Sequence, residues 1–127
     1  MDALVKKELQ LAAANVRKCV IEGTYNAASG HPGGSLSIAD IITYLYMYKL
    51  HVDPKNPTME DRDRFVLSKG HTAPALYGAL ALKGFFPVED IKTLRKPGSI
   101  CRATQVWEKL RALTCPLARL ARAFPLP

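Results

Sequence analysis

The chain has 127 residues, 48% of them hydrophobic, enough for one ordinary globular domain and too few for two comfortable ones. Of 18 basic and 11 acidic side chains, five and one fall in residues 101–127, so the tail holds +4 of the net +7 and residues 1–100 only +3. The tail arginines (Arg102, Arg111, Arg119, Arg122) are neither clustered nor interleaved with aromatics, which argues against a nucleic-acid partner.

The most apolar stretch, Ile38 to Leu50, is interrupted by Asp40, Thr43 and Lys49, so no membrane span is expected. Met1 to Glu8 has no basic-then-apolar signal layout, which makes a cytoplasmic protein the expectation. Cys19, Cys101 and Cys115 show neither CxxC nor metal-ligand spacing. Their odd number speaks against a disulfide framework, and ordinary thiols are expected.

In chain order, residues 2–28 read as one amphipathic helix. Val5, Leu9, Ala12, Val16, Cys19 and Val20 recur at spacings of three and four, until Ser29-Gly30 and Pro32 stop the run. Gly33 to Asp40 restarts the chain, with Ser35 or Ser37 as N-cap candidates. A second helix, about Ser37 to Leu50, is apolar on most sides, the pattern of a buried helix. His51 to Pro57 is a turn-rich loop with two prolines.

After the charged run Glu60 to Arg64, the segment Phe65-Val66-Leu67-Ser68 is the one convincing strand. Pro74 to Leu82 reads as a helix ended by Gly84, and Pro87 opens a short helix to Leu94 before Lys96-Pro97-Gly98-Ser99 breaks the chain. One strand among helices cannot make a sheet. The fold class is therefore α/β: mostly helical, with a single strand near 64–68 and an incomplete parallel sheet.

Two of the three histidines stand in matching turns, Ser29-Gly30-His31-Pro32-Gly33-Gly34 and Ser68-Lys69-Gly70-His71. Glycines allow close ligand approach and proline fixes a turn, so His31 could serve a phosphate-bearing or carbonyl substrate or move a proton. An equally good reading makes it a loop residue capping the next helix. His71 follows a strand end, where open α/β sheets place ligand groups, so function is favoured over capping there. His51 lies in a proline-rich loop and reads as structural, and Asp61-Arg62-Asp63-Arg64 as a solvated face or local ion pairs.

The runs Ala28 to Ser37, then Asp53-Pro54 with Asp63 to Tyr77, resemble the N-terminal part of transketolase, and most nearly the N-terminal chain of its split bacterial and archaeal form. The likeness covers roughly residues 4–100 and includes the spacing between motifs. It implies a thiamine diphosphate-binding fold and transfer of a two-carbon ketol unit between sugar phosphates, an enzyme of pentose phosphate metabolism. By the same resemblance His31 is a catalytic, substrate-side histidine, and His71 with Gly70 lies beside the cofactor diphosphate.

Further implications are a Mg2+ ion, a C-terminal chain or domain as partner, and a homo-oligomer in the intact family. The family's Gly-Asp-Gly metal motif does not occur, so no metal ligand is assigned. An alternative from another class is a non-catalytic helical module docking on an intact transketolase partner.

After Ile100 the likeness ends. The family continues with Leu-Gln-Gly-His-Pro, bearing a third active-site histidine, and later Gly-Val-Asp-Met-Ser-Thr-Gly-Ser-Leu-Gly-Gln-Gly. Codons for Cys101 to Gln105 and for Arg111 to Ala123 can be chosen so that a register one base earlier encodes both runs. Residues 1–100 are therefore expected to be the start of a diphosphate-binding domain, and 101–127 a frameshifted basic tail on a truncated segment that is inactive alone.

Overall fold

The computed structural model describes residues 2–101. Three helices carry the fold: α1 (Ala3–Asn26), α2 (Pro32–Tyr44) and α3 (Ala73–Lys83), each packed on the other two. α1 forms as its apolar spacing predicts, burying Ala13, Val16, Cys19, Val20 and Gly23 along one stripe. α3 is buried on nearly every side, from Ala73 to Ala81 except Pro74, and so forms the centre of the bundle. It ends at Gly84, which takes φ +101° and donates its N–H to the carbonyls of Leu80 and Ala81, a left-handed cap that glycine adopts without steric cost.

The core beneath these helices joins Val16 and Val20 of α1, Ala39 and Ile42 of α2, and Ala75, Leu76, Ala79 and Leu80 of α3. Each large aliphatic side chain buried there stabilises the fold by roughly 1.5–3 kcal/mol. Small residues set how closely the axes approach. A Cβ on Gly78 would lie 3.1 Å from Cys19 Cβ and 3.4 Å from the Val16 carbonyl oxygen, so α1 and α3 cross backbone to backbone.

A second cluster sits at the other end of the crossing. Tyr77, Ala73 and Ala81 of α3 meet Cys19, Ile91, Leu94 and Cys101. Ile91 belongs to a 3-10 helix, Val88–Thr93, which approaches Gly23 closely enough that a Cβ there would be 3.2 Å from Ile91 Cγ2. Cys19 and Cys101 are free, buried thiols, while Cys115 lies outside the described residues. Burial pushes the Cys101 thiol up to about 12 and raises that of Cys19.

Two expectations need correction. α2 begins at Pro32 rather than Ser37, because proline suits a first helical position, where its missing N–H costs nothing. His31 takes the N-cap position. Ser35 is buried inside the helix, and Ser37 donates its hydroxyl back to the Gly34 carbonyl at 2.8 Å, so neither serine is the cap. Beyond Tyr44 the coil widens into a π-helical turn, Leu45–Lys49, with Tyr46 facing inward and Tyr44 and Tyr48 side by side at 5.4 Å.

The strand and the incomplete parallel sheet are not found: among the described residues 64–68 form no strand, only an isolated bridge at Phe65. A strand exists only when a neighbour takes up its N–H and C=O groups, whatever its own propensity. Here the segment lies against α2 instead. Phe65 stacks edge-on to Tyr46 at 5.7 Å, and Phe65 and Leu67 line an apolar groove of about 190 Å³ with Ile38, Ile41, Ile42 and Leu45.

Candidate active site

Both predicted histidine turns are helix entrances, and the fold brings them together. His31 immediately precedes Pro32 of α2 with φ −120° and ψ 84°, and its side chain makes no cap hydrogen bond. His31 thus holds the capping position through its backbone, while its imidazole takes no part in the cap. His71 lies in a single 3-10 turn, Gly70–Thr72, that leads into α3. The turn is held from beneath by buried Thr72, whose hydroxyl and N–H both donate to the Lys69 carbonyl, at 2.7 and 2.8 Å. With Thr72 drawn inward, His71 stands on the outside.

The two exposed imidazoles are 6.5 Å apart between ring centroids, with planes at 84°. They are 40 residues apart in sequence and meet because α2 and α3 pack with these entrances adjacent. Gly34 completes the junction. A Cβ on it would lie 3.0 Å from Thr72 Cγ2 and 3.2 Å from His71 Nε2, so the absence of a side chain gives the His71 ring its place. At Gly70 a Cβ would meet nothing within 4 Å, so packing does not demand that glycine.

His51 stays apart, exposed in its loop, with Nδ1 4.0 Å from Asp61 Oδ2 and its backbone N–H donating to Asp63 Oδ2 at 2.7 Å. Asp61 and Asp63 thus serve the loop locally, in keeping with their alternating-charge run.

One participant carries no motif. Arg95 reaches across 66 residues and donates from its guanidinium to the Ser29 hydroxyl, beside Gly30 and His31. Its only local signal is an arginine after Ile91-Lys92-Thr93-Leu94 and before Lys96-Pro97-Gly98, too common a pattern to single out.

Two imidazoles beside the N-terminus of a 13-residue helix suit an anionic, phosphate-bearing ligand, because all of these groups can donate to or attract oxygen anions. They do not suit a hard divalent cation, which takes several oxygen ligands. No group of three or more His, Cys, Asp or Glu side chains converges among the described residues. Nor is any helix there long and apolar enough to cross a membrane.

Comparison with known proteins places the chain in a family. Residues 9–114 match the family model for the transketolase thiamine diphosphate binding domain, a match that runs past residue 100. The chain is 50% identical over 93 residues to the 6-deoxy-6-sulfo-D-fructose transketolase subunit SqwG of Clostridium sp. (strain MSTE9), covering 73% of this chain and 34% of that one. It is 45% identical over 92 residues to an apulose-4-phosphate transketolase subunit of Phocaeicola vulgatus, covering 72% of this chain and 33% of that one. Over 99 residues it is 40% identical to the transketolase of Treponema pallidum, covering 77% of this chain and 15% of the other. The chain thus spans about a third of the length of the subunit-type relatives. With a family match over most of its length and half its aligned residues shared with such a relative, the chain belongs to the transketolase family, within its thiamine diphosphate binding domain.

Proposed function

We propose that this chain contributes one corner of a thiamine diphosphate site that transfers a two-carbon ketol unit between sugar phosphates. The observation that carries the reading is the meeting of His31 and His71, 6.5 Å apart and both exposed. When bound, thiamine diphosphate supplies the carbanion chemistry, and the chain's own residues bind, orient and move protons. His71, rising from the Gly70 turn at the foot of α3, is assigned to the diphosphate as a hydrogen-bond donor. His31, at the entrance of α2, is assigned to the sugar, where an imidazole can give and take a proton at the hydroxyl and carbonyl oxygens.

The described residues fit the diphosphate end of the cofactor. They do not supply a Mg2+ cage, so on this reading the metal ligands and the pyrimidine-binding surface come from other polypeptide, a partner chain or domain. The Clostridium and Phocaeicola relatives are both named as transketolase subunits, which supports such a division of labour. Alone, the chain is inactive on this reading, and it works in the cytoplasm. The boundary near residue 100, with a frameshifted tail over 101–127, also stands as a proposal; the nucleotide sequence across codon 100 tests it.

The functional test joins residues 2–100 to the remainder of the Clostridium protein, the 50%-identical relative. Ketol transfer should survive the graft. His31→Ala should then lower kcat by about 10² to 10⁴, the usual worth of a positioned proton carrier, and His71→Ala should raise the cofactor concentration required. A folded, active graft indifferent to both substitutions would refute the reading.

A further inference from the structure

We infer that Arg95 is a positioning residue for His31, acting through Ser29; this rests on the functional reading above but is read without cofactor or partner. The tether has two ends, and both are braced. At one end Arg95 follows the 3-10 helix Val88–Thr93 and holds φ +64°, a left-handed backbone that a non-glycine residue keeps only when its surroundings impose it. The imposition is visible. The Arg95 N–H donates to the Cys101 carbonyl at 2.9 Å, and the Cys101 N–H donates to the Ser99 hydroxyl at 3.0 Å. That hydroxyl lies 2.7 Å from the Thr93 hydroxyl. Buried Leu94 and Cys101 anchor the same stretch in the second core cluster.

At the other end Ser29 follows Ala28, which also takes a positive φ of +46°, and precedes Gly30 at +135°. The Ser29 N–H reaches the Thr24 carbonyl at 3.3 Å, and a Cβ on Gly30 would lie 3.0 Å from Thr24 Cγ2. Thr24 therefore holds the turn from the α1 side only. The guanidinium of Arg95 on the exposed Ser29 hydroxyl is a second hold, coming from the stretch after the 3-10 helix. His31, two residues on, caps nothing with its ring, so the path of this turn fixes where the imidazole starts.

A charge-assisted bond from a planar guanidinium on a braced backbone orients better than the flexible ammonium of lysine would. The tether thus couples the second core cluster, through Leu94 and Cys101, to the sugar-side histidine. It does not touch His71, which is held by Thr72 and Gly34.

The test is NMR on the full 127-residue chain, isotopically labelled, without ligand. Arg95→Met and Ser29→Ala should each shift the His31 ring resonances and raise amide exchange over residues 29–34 by about fivefold, the worth of one net hydrogen bond. His71 ring resonances should stay in place. The double variant should go no further than either single, and Arg95→Lys should restore part of the effect.

Unchanged His31 resonances in a folded variant would overturn the tether, as would additive effects in the double variant. Should Arg95→Met fail to fold, Ser29→Ala leaves the core cluster intact and decides alone. Loss of ketol transfer in the graft with intact tether signals would count against the functional reading only.

Discussion

The helix crossing and the histidine junction lie within a few residues of each other and obey opposite rules. At the crossing, Gly78 lets α3 approach the backbone of α1, and Val16, Val20, Ala39, Ala75 and Ala79 are almost completely removed from water. At the junction, His31, Gly70 and His71 stand exposed on short turns, the second held by Thr72 through the Lys69 carbonyl and the first contacted by Thr24 and, at Ser29, by Arg95. Burial is concentrated in the first region, and the exposed imidazoles of the candidate site lie in the second. Buried Thr72, at the entrance of α3, links the two along the chain.

This contrast can be broken most forcefully from the core side. Leu80→Ala should cost about 2–5 kcal/mol in urea unfolding, because Leu80 is 1% exposed and central to the first cluster. Gly78→Val should cost about 1–3 kcal/mol, since the new Cβ must push Cys19 or the Val16 carbonyl. If either variant were as stable as the parent, the close α1–α3 crossing would be wrong.

Alkaline pH attacks the same region. The Cys101 thiol is raised to about 12 by burial, and burial also raises Cys19, Tyr46 and Tyr77. A raised folded value means the folded state prefers the protonated group. The contribution of Cys101 is therefore fully present below the unfolded value of 9.0 and is lost as pH rises toward 12. Unfolding midpoints measured from pH 8 upward should fall, and Cys101→Ala should make that fall shallower. A midpoint indifferent to pH over that window would contradict the burial of Cys101.

At the junction the effects on stability should be smaller and those on the site larger. Gly34→Val should cost about 1 kcal/mol but displace the His71 ring, seen as a shift of its ring proton resonances with His31 less affected. His31→Ala and His71→Ala should each change stability by no more than about 0.5 kcal/mol, since both side chains are exposed. A large loss in either would place the imidazole in the scaffold rather than in a site.

The helices are legible in the sequence because spacing and stop signals are local. α1 lies within two residues of its expected bounds at each end, and Gly84 closes α3 where its left-handed φ requires. The start of α2 is not legible in this way, because Gly33 and Gly34 are poor helix formers. What overrides propensity there is the packing of Gly34 against His71 and Thr72, a contact across 37 residues from Gly34 to His71. The strand expectation fails because Phe65 to Ser68 has strand composition, while pairing depends on a neighbour that its own residues do not encode.

The histidine turns can be picked out by their glycines and by family resemblance. Their 6.5 Å separation cannot, because it depends on how α2 and α3 pack. Arg95 is invisible for the same reason: its partner is 66 residues away.

The proposed diphosphate corner is tested by titrating the labelled chain with thiamine diphosphate and Mg2+, followed at the three histidine rings. Weak, non-stoichiometric binding is expected, in which His71 and the Gly70 amide move first, His31 moves less and His51 not at all. Tight one-to-one binding would contradict an incomplete site. No response at His71, or one confined to His51, would contradict the assignment of this junction to the diphosphate.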